Sequence, residues 1–368
     1  LAKTSSTRRP PEPFFDKSQN TDEGALEPER AFSHLGKMTL PSLSIQDLAP
    51  ISQGYSTKEA LAKTLDLARL GDEMGFVRLW YAEHHGMPSI ASSAPDILIA
   101  HAAAHTRRIN IGAGGVMLPN HVPLRVVETY RTLEGLYPGR IDLGIGRAGG
   151  SDGLTLRALR STNGEDFPHE FAELLAYERG GFPDDHPLAR VKVVPAEVPL
   201  PPIWLLGSSG ASAQMAGQYG IGYAFASHFS PTPAGPAFDA YRRSFRPSDQ
   251  FATPHAILCV AVICAPTDEE ARHLSKSMEL TWLRLRSNDP QKIAPPEESD
   301  AYPWTEQERG FVESQSNLWI VGSPETVKAK IEEKVQETNA DEVMVSTTVH
   351  DYDKRLESYR LLKEIWDA

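Results

Sequence analysis

The 368 residues carry 37 Lys and Arg against 49 Asp and Glu, a formal net charge of -12. That balance argues against a nucleic-acid binder, which neutralises phosphates with Lys and Arg, and against a surface that docks on anionic lipid. No apolar run approaches the ~18 residues of a membrane span, and no secretory signal with a basic start and apolar core is present, so a cytoplasmic protein is expected.

Hydrophobic residues make up 40% and charged residues 23%, enough for a large buried core. The length suits one α/β barrel, a fold of about 250 residues that exceeds 400 with insertions. Residues 1–37, with Arg8-Arg9-Pro10-Pro11 and Glu27-Pro28-Glu29, can bury little. They read as a flexible or draped arm before one barrel domain over residues 38–368. Cys259 and Cys264 share one apolar run. Strand alternation points them to opposite faces, too far apart for a disulfide, so two buried free thiols are expected.

From Leu43 onward strands and helices alternate. Leu43 to Leu48 reads as a strand, and Lys58 to Met74 as an amphipathic helix closed by Gly75. Val77 to Ala82 is a second strand, Pro95 to His105 a helix with Pro in its first turn. Ile109 to Leu118 is a glycine-rich third strand, Pro123 to Tyr137 a helix, Arg140 to Gly146 a fourth strand, and Phe167 to Glu178 a helix. Pro202 to Leu206, Gly222 to Ala226 and Ala256 to Ala265 are strands five to seven. The helices after them run from Ala211 to Tyr219, Pro236 to Phe245 and Asp268 to Leu285. Ser287 to Trp304 lacks periodicity and reads as an insertion or mobile loop. Pro324 to Glu337 is a helix with Ser323 as N-cap, Glu342 to Thr348 the eighth strand, and Tyr352 to Trp366 the last helix. The strands are apolar throughout, as parallel strands buried on both faces are. Such a series makes a barrel or an open doubly wound sheet, and the count of eight favours a (β/α)8 TIM barrel with an insertion between strands seven and eight.

In a barrel the chemistry sits at the carboxyl ends of the strands. There this sequence has Glu83-His84-His85, Gly112 to Gly115 with Pro119-Asn120-His121, Gly144 to Gly150, Gly207 to Ser212, and Ser227-His228. A histidine that titrates near neutrality can serve as a general base, and His84 and His85 beside Glu83 are candidates; a structural pair is the plainer alternative. No His-Glu-x-x-His spacing or second ligand cluster occurs, so no metal is expected. The loop Gly207-Ser208-Ser209-Gly210-Ala211-Ser212 entering a helix offers backbone N–H groups to a phosphate, or is a simple helix cap. Arg147 at the neighbouring strand end could reach the same anion or form a surface ion pair. Gly114-Gly115 could let a flat ring approach the backbone or mark a β-bulge. Gly144-Ile145-Gly146-Arg147-Ala148-Gly149 matches G-x-G-x-x-G formally, but Gly150 to Gly153 prolong the loop where a dinucleotide site starts a helix. No G-x-S-x-G elbow is present.

Several of these segments resemble the bacterial luciferase-like flavin-dependent monooxygenases: Tyr81-Ala82-Glu83-His84-His85, Asn110 to Pro119, Pro138 to Arg147, Trp204 to Ala213, and Val321 to Val327. The resemblance runs from about Leu43 to the end and is nearest the single-subunit branch. It implies a barrel enzyme using reduced FMN and O2 to oxygenate a small organic substrate, an aldehyde among the candidates. It also implies a separate flavin reductase and a homodimer. His84 falls on the family's catalytic histidine. Arg147, Ser208, Ser209 and Ser212 fall where the family holds the FMN phosphate, with Gly207 and Gly210 in the same loop. Gly114-Gly115 falls where the family has a non-prolyl cis peptide under the flavin ring. Gly146 departs from the luciferase catalytic subunit, which has a reactive cysteine there, so light emission does not follow from the resemblance. Rival readings are a deazaflavin (F420)-dependent oxidoreductase on the same fold and a non-catalytic flavin-binding protein.

Overall fold

The structure is a computed structural model and describes residues 40–162 and 164–368; the arm expected over residues 1–37 lies outside the described residues. Strand β1 (Ser42–Asp47) is followed by helix α1 (Thr57–Met74), β2 (Arg78–Tyr81) by α2 (Pro95–Ala104), and β3 (Asn110–Met117) by a 3-10 turn (Leu118–Asn120) and α3 (Pro123–Leu136). Next come β4 (Ile141–Gly146), α4 (Gly153–Leu159), α5 (Phe167–Glu178), β5 (Ile203–Gly207), α6 (Gly210–Tyr219), β6 (Gly222–Ala226) and α7 (Ala234–Ser244). The chain closes with β7 (Ala256–Cys264), α8 (Asp268–Arg286), α9 (Pro296–Ala301), α10 (Glu306–Ser316), β8 (Trp319–Gly322), α11 (Pro324–Thr338), β9 (Glu342–Ser346) and α12 (Tyr352–Asp367).

The helix ends follow local chemistry. Ser56 and Glu59 form a capping box at the start of α1, and Gly75 ends it with a φ of 77°. Ser323 accepts from the Thr326 N–H and caps α11. The strands pair in parallel in the ring β1-β2-β3-β4-β5-β6-β7-β9, closed by β9 on β1. This is the (β/α)8 barrel that the alternation predicts. One strand, β8, stands outside the ring. It pairs with Ala261 to Cys264, the half of β7 that continues past its pairing with β9.

The stretch from Ser287 to Trp304 is not a structureless loop. Residues Pro296–Ala301 form α9, tied to α8 by an ion pair from Lys276 to Asp300 (2.5 Å) and another between Arg284 and Glu298. Ile293 exchanges backbone hydrogen bonds with Ile51 (2.9 Å) and Gln53 (2.8 Å), which pins the insertion to the chain leaving β1. The two cysteines are free and buried as expected; Cys259 packs with the barrel interior and Cys264 with the shell between strands and helices.

The floor of the barrel, at the amino ends of the strands, is polar. Buried Arg78 binds Asp142 through Nη1 (2.7 Å) and Glu342 through Nε (2.7 Å). The indoles of Trp80 and Trp204 donate to Asp142 at 3.0 and 3.2 Å, and His255 lies 3.0 Å from Glu342. The Arg78 guanidinium rests 4.6 Å from the Trp204 ring centre. Two carboxylates deprived of their shared cation would be left charged out of water. Arg78→Met is therefore expected to lower unfolding free energy by about 3–5 kcal/mol; a loss below ~1 kcal/mol in urea titrations would show that the ring tolerates the gap.

Candidate active site

The carboxyl ends of β2, β3 and β4 are joined through one buried carboxylate. Glu83 accepts the Met117 backbone N–H at Oε2 (2.9 Å) and lies 2.9 Å from Nε2 of both His85 and His121. Asn120 Nδ2 is 3.3 Å from Glu83 and donates at 3.0 Å to the Gly149 carbonyl. Ser151 donates to the His85 carbonyl, bringing the loop after β4 over the same spot. Gly150 has a φ of 64°, and a Cβ there would stand 2.8 Å from the Glu83 carbonyl oxygen, so only glycine lets this loop close.

This arrangement sets charge states. Burial works against the Glu83 carboxylate, but the hydrogen bond and charge of His121, with help from His85 and Met117, hold its pKa below the usual 4.5. Burial likewise disfavours a charged His121, and Glu83 outweighs it, raising that pKa above 6.5. His84 goes the other way. Burial lowers its pKa below 6.5 against opposing help from Gly150 and Glu83, so it is neutral at pH 7. Its Nδ1 lies 3.1 Å from the Gly150 carbonyl, which can only accept. Nδ1 then carries the proton and Nε2 keeps a lone pair able to take one. Sequence grouped Glu83, His84 and His85 together. The structure does bring them together, but Glu83 and His85 bind each other while His84 turns to a different loop.

The peptide bond Gly114-Gly115 is cis, where the resemblance implies one. The pairing of β3 with β4 shifts register between Ala113 and Val116, so the bulge expected as the alternative is present too. These glycines answer first to the barrel itself. A Cβ on Gly114 would meet Trp80 at 2.9 Å, and one on Gly115 the Gly144 backbone at 3.0 Å. The Gly114 carbonyl accepts from Gln46 Nε2 (3.0 Å), and Gln46 in turn accepts from the Cys259 thiol (3.1 Å).

On the next two strands, the register Ile145↔Leu205 continued by two residues sets Arg147 beside Gly207. Arg147 is exposed, and its guanidinium has no hydrogen-bond or ion-pair partner among the described residues. It opens on a cleft of about 440 Å³ bordered by Gly149, Gly150, Ser151 and Glu165. Ser209 is the N-cap of α6, yet its side chain makes no cap bond. Ser212 turns instead to the Ser209 carbonyl (2.9 Å) and the Tyr223 hydroxyl (3.1 Å). Gly207 permits that turn, since a Cβ there would lie 2.1 Å from the Ser212 hydroxyl. Gly210 and Ser208 complete the loop, and the first-turn N–H groups of α6 have no side-chain acceptor.

A second space, of about 140 Å³, lies at the carboxyl ends of β1, β6, β7 and β9 under a roof from α8 and the insertion. Its lining includes Met87, Ile90, Met278, Trp282, Ile293 and His228. Burial pushes the His228 pKa down to about 4, with nearby His84 adding to the fall and a backbone hydrogen bond to Cys259 resisting it. Sequence marked Asn120, His121 and His228 only as polar groups at strand ends, without a role. Nothing in it singled out Gln46, a polar residue inside an apolar strand.

Comparison with known proteins bears on the family and the fold. A family model described as luciferase-like monooxygenase matches residues 43–342. The chain belongs to the luciferase-like monooxygenase family. An Escherichia coli (strain K12) protein named luciferase-like monooxygenase is 41% identical over 327 residues, 88% of this chain and 96% of the relative. The crystal structure of apo-MsnO8 superposes with a TM-score of 0.82 at 36% identity, covering 89% of this chain and 98% of that one. Two more distant structures share the fold at a TM-score of 0.61: the oxygenating constituent of 3,6-diketocamphane monooxygenase in complex with FMN, at 19% identity, and an F420-dependent secondary alcohol dehydrogenase, at 14%. As a member of a monooxygenase family, the chain is an oxidoreductase by class.

In this luciferase-like monooxygenase the Glu83–His121 contact contributes stability in full below about pH 6.5 on the histidine side, and loses it as pH rises through the raised His121 value. Glu83 loses its own share as pH falls through its value below 4.5. Glu83→Gln is expected to bring the His121 titration down from its wild-type position in a proton–nitrogen NMR series. An unmoved His121 midpoint would mean the carboxylate does not govern it.

Proposed function

We propose that the protein is an FMN-dependent monooxygenase in which reduced flavin and O2 oxygenate a small organic substrate, an aldehyde among the candidates, with the reduced flavin delivered by a separate reductase. The observation that carries this is the place of Arg147, exposed and without an ion-pair partner among the described residues, on the strand end next to the start of α6. Helix-start N–H groups, a helix dipole and a guanidinium on adjoining strand ends suit a phosphate monoester in charge. The fit extends along the barrel mouth, since β3 with its glycines, β4 with Arg147 and β5 with the α6 start are consecutive strands of the ring.

Reduced FMN, when bound, supplies the electrons with which one oxygen atom enters the substrate and the other leaves as water. The residues do the rest. Arg147 and the α6 N–H groups with Ser208 and Ser209 hold the phosphate, and Ser212, bound to the Ser209 carbonyl and the Tyr223 hydroxyl, positions that loop. The apolar chamber and its roof from α8 and the insertion keep water from the reacting atoms. His84, neutral and with Nε2 free, takes and returns the proton that oxygen transfer requires. Glu83, His85, Asn120 and His121 act through position, by keeping the three loops registered around His84.

The F420-dependent neighbours share the fold at low identity and supply no residue-level argument for that cofactor. Fluorescence titration with FMN and with F420 separates the two readings. Arg147→Ala is expected to weaken FMN binding about 10- to 100-fold, the loss of one or two charge-assisted hydrogen bonds; unchanged affinity would remove Arg147 from the site. His84→Ala is expected to keep FMN affinity while the reduced flavin is oxidised mainly to hydrogen peroxide rather than product. Full coupling in that variant would take the histidine out of the mechanism. Because its pKa is lowered, wild-type coupling should persist as pH falls below 6.5, and an acid limb at or above 6.5 would contradict the neutral-base assignment.

A further inference from the structure

The last strand of the ring carries a hydroxyl that the fold does not use, and its meaning rests on the monooxygenase reading above. Ser346 ends β9, paired with Gln46 of β1 and Ala261 of β7. Strand alternation sets Glu342, Met344 and Ser346 on one face of β9. Glu342 reaches the polar floor and Met344 packs with Trp80 and Trp204 inside the barrel, so Ser346 points into the lumen at its carboxyl end. There it lines the chamber of about 140 Å³ under α8 and the insertion.

The polar groups of that wall differ in what they can offer an occupant. Thr281 Oγ1 donates to the Ser277 carbonyl (2.7 Å), Gln291 Nε2 donates to Asp289 (2.7 Å), and His228 Nδ1 is sealed from any surface. Thr348 and the Trp282 indole have no partner, but both residues are only half-buried. Ser346 and Ser89 stand apart. Each residue is 7% exposed, and neither hydroxyl has a hydrogen-bond partner among the described residues. Neither is among the unpartnered polar atoms that are sealed, so each keeps accessible surface, and in residues this buried that surface is the chamber's. Ser89 lies on the loop after β2 that carries Glu83, His84 and His85, so the chamber wall and the proposed proton-handling group share one segment.

A hydroxyl has one proton to give, and a buried donor left without an acceptor is costly. No described residue of the wall is Asp, Glu, Lys or Arg, so a charged occupant would lose its hydration without meeting a counter-ion. The volume is close to the ~150 Å³ of a cavity that accepts benzene. Of the two serines, Ser346 is the one held on a strand and therefore the more rigidly aimed.

We propose that Ser346 is a specificity-determining residue, whose hydroxyl donates to an accepting oxygen of an uncharged substrate about the size of a benzene ring. It distinguishes that oxygen from a methylene of the same shape, and the uncharged wall turns away a carboxylate.

Three probes of matched size test this on the full chain with excess oxidised FMN, without turnover: cyclohexanone, its isostere methylenecyclohexane, and cyclobutanecarboxylate, each followed by ligand-observed NMR. Wild type is expected to bind the ketone, and to bind the carboxylate about tenfold more weakly or worse. Ser346→Ala should weaken the ketone about five- to tenfold, the loss of one net hydrogen bond, and leave the alkene within about twofold. Because the hydroxyl has no partner in the protein, that variant should melt at or above the wild-type Tm. Ketone affinity unchanged in Ser346→Ala, an equal loss for the alkene, a carboxylate bound as tightly as the ketone, or a lowered Tm would each overturn the proposal. Wild type that binds neither ketone nor alkene would overturn it as well. FMN affinity recorded in the same samples shows separately whether the cofactor reading holds.

Discussion

The site depends on one buried negative charge. Glu83 sits at the end of β2 with its carboxylate out of water, and the groups that satisfy it come from outside β2: the backbone of Met117, the amide of Asn120 and the imidazoles of His85 and His121. A lone buried carboxylate would be costly, so the loops after β2 and β3 must close around it. Asn120 then reaches the Gly149 carbonyl, and the loop after β4 closes over His84. The tautomer proposed for His84 is a consequence of that closure, because it is the Gly150 carbonyl that claims Nδ1.

The barrel frame was largely legible in the sequence, because parallel strands buried on both faces leave uninterrupted apolar runs that few other structures produce. All eight ring strands overlap segments read as strands, most of them mainly apolar although β1 carries Ser44, Gln46 and Asp47, and α5 agrees at both ends. What escaped had weaker physics behind it. Strand β8 pairs on one side only, over four residues. Helix α4 buries no residue, so no apolar stripe marks it. Helix α9 is six residues long, and α10 buries only Val312, although the spacing Thr305-x-x-Glu308 carries its capping-box signal.

The site was legible in kind but not in connection. Residue types at strand ends pointed to Glu83, His84, Arg147 and the serine loop, and the cis bond at Gly114-Gly115 came from likeness to a family rather than from any local rule. Sequence could not show that the glycines of β3 are required by Trp80 and by the backbone of β4. It also could not show that Glu83 is shared by two imidazoles from different loops. Such contacts join residues 34 to 38 positions apart and exist only once the strands are side by side. The insertion is the clearest case. Its composition reads as irregular, yet its two ion pairs to α8 and its ladder at Ile293 fix it as the roof of a chamber.

The proposed activity requires one ligand to reach Arg147, the start of α6 and His84 together. Crystals soaked with FMN and examined by X-ray diffraction test this most directly. The phosphate is predicted within hydrogen-bonding distance of the Arg147 guanidinium and the first-turn N–H groups of α6, with the flavin ring reaching toward His84. A well-ordered flavin bound elsewhere on the molecule, or a phosphate that leaves Arg147 without a partner, would contradict it.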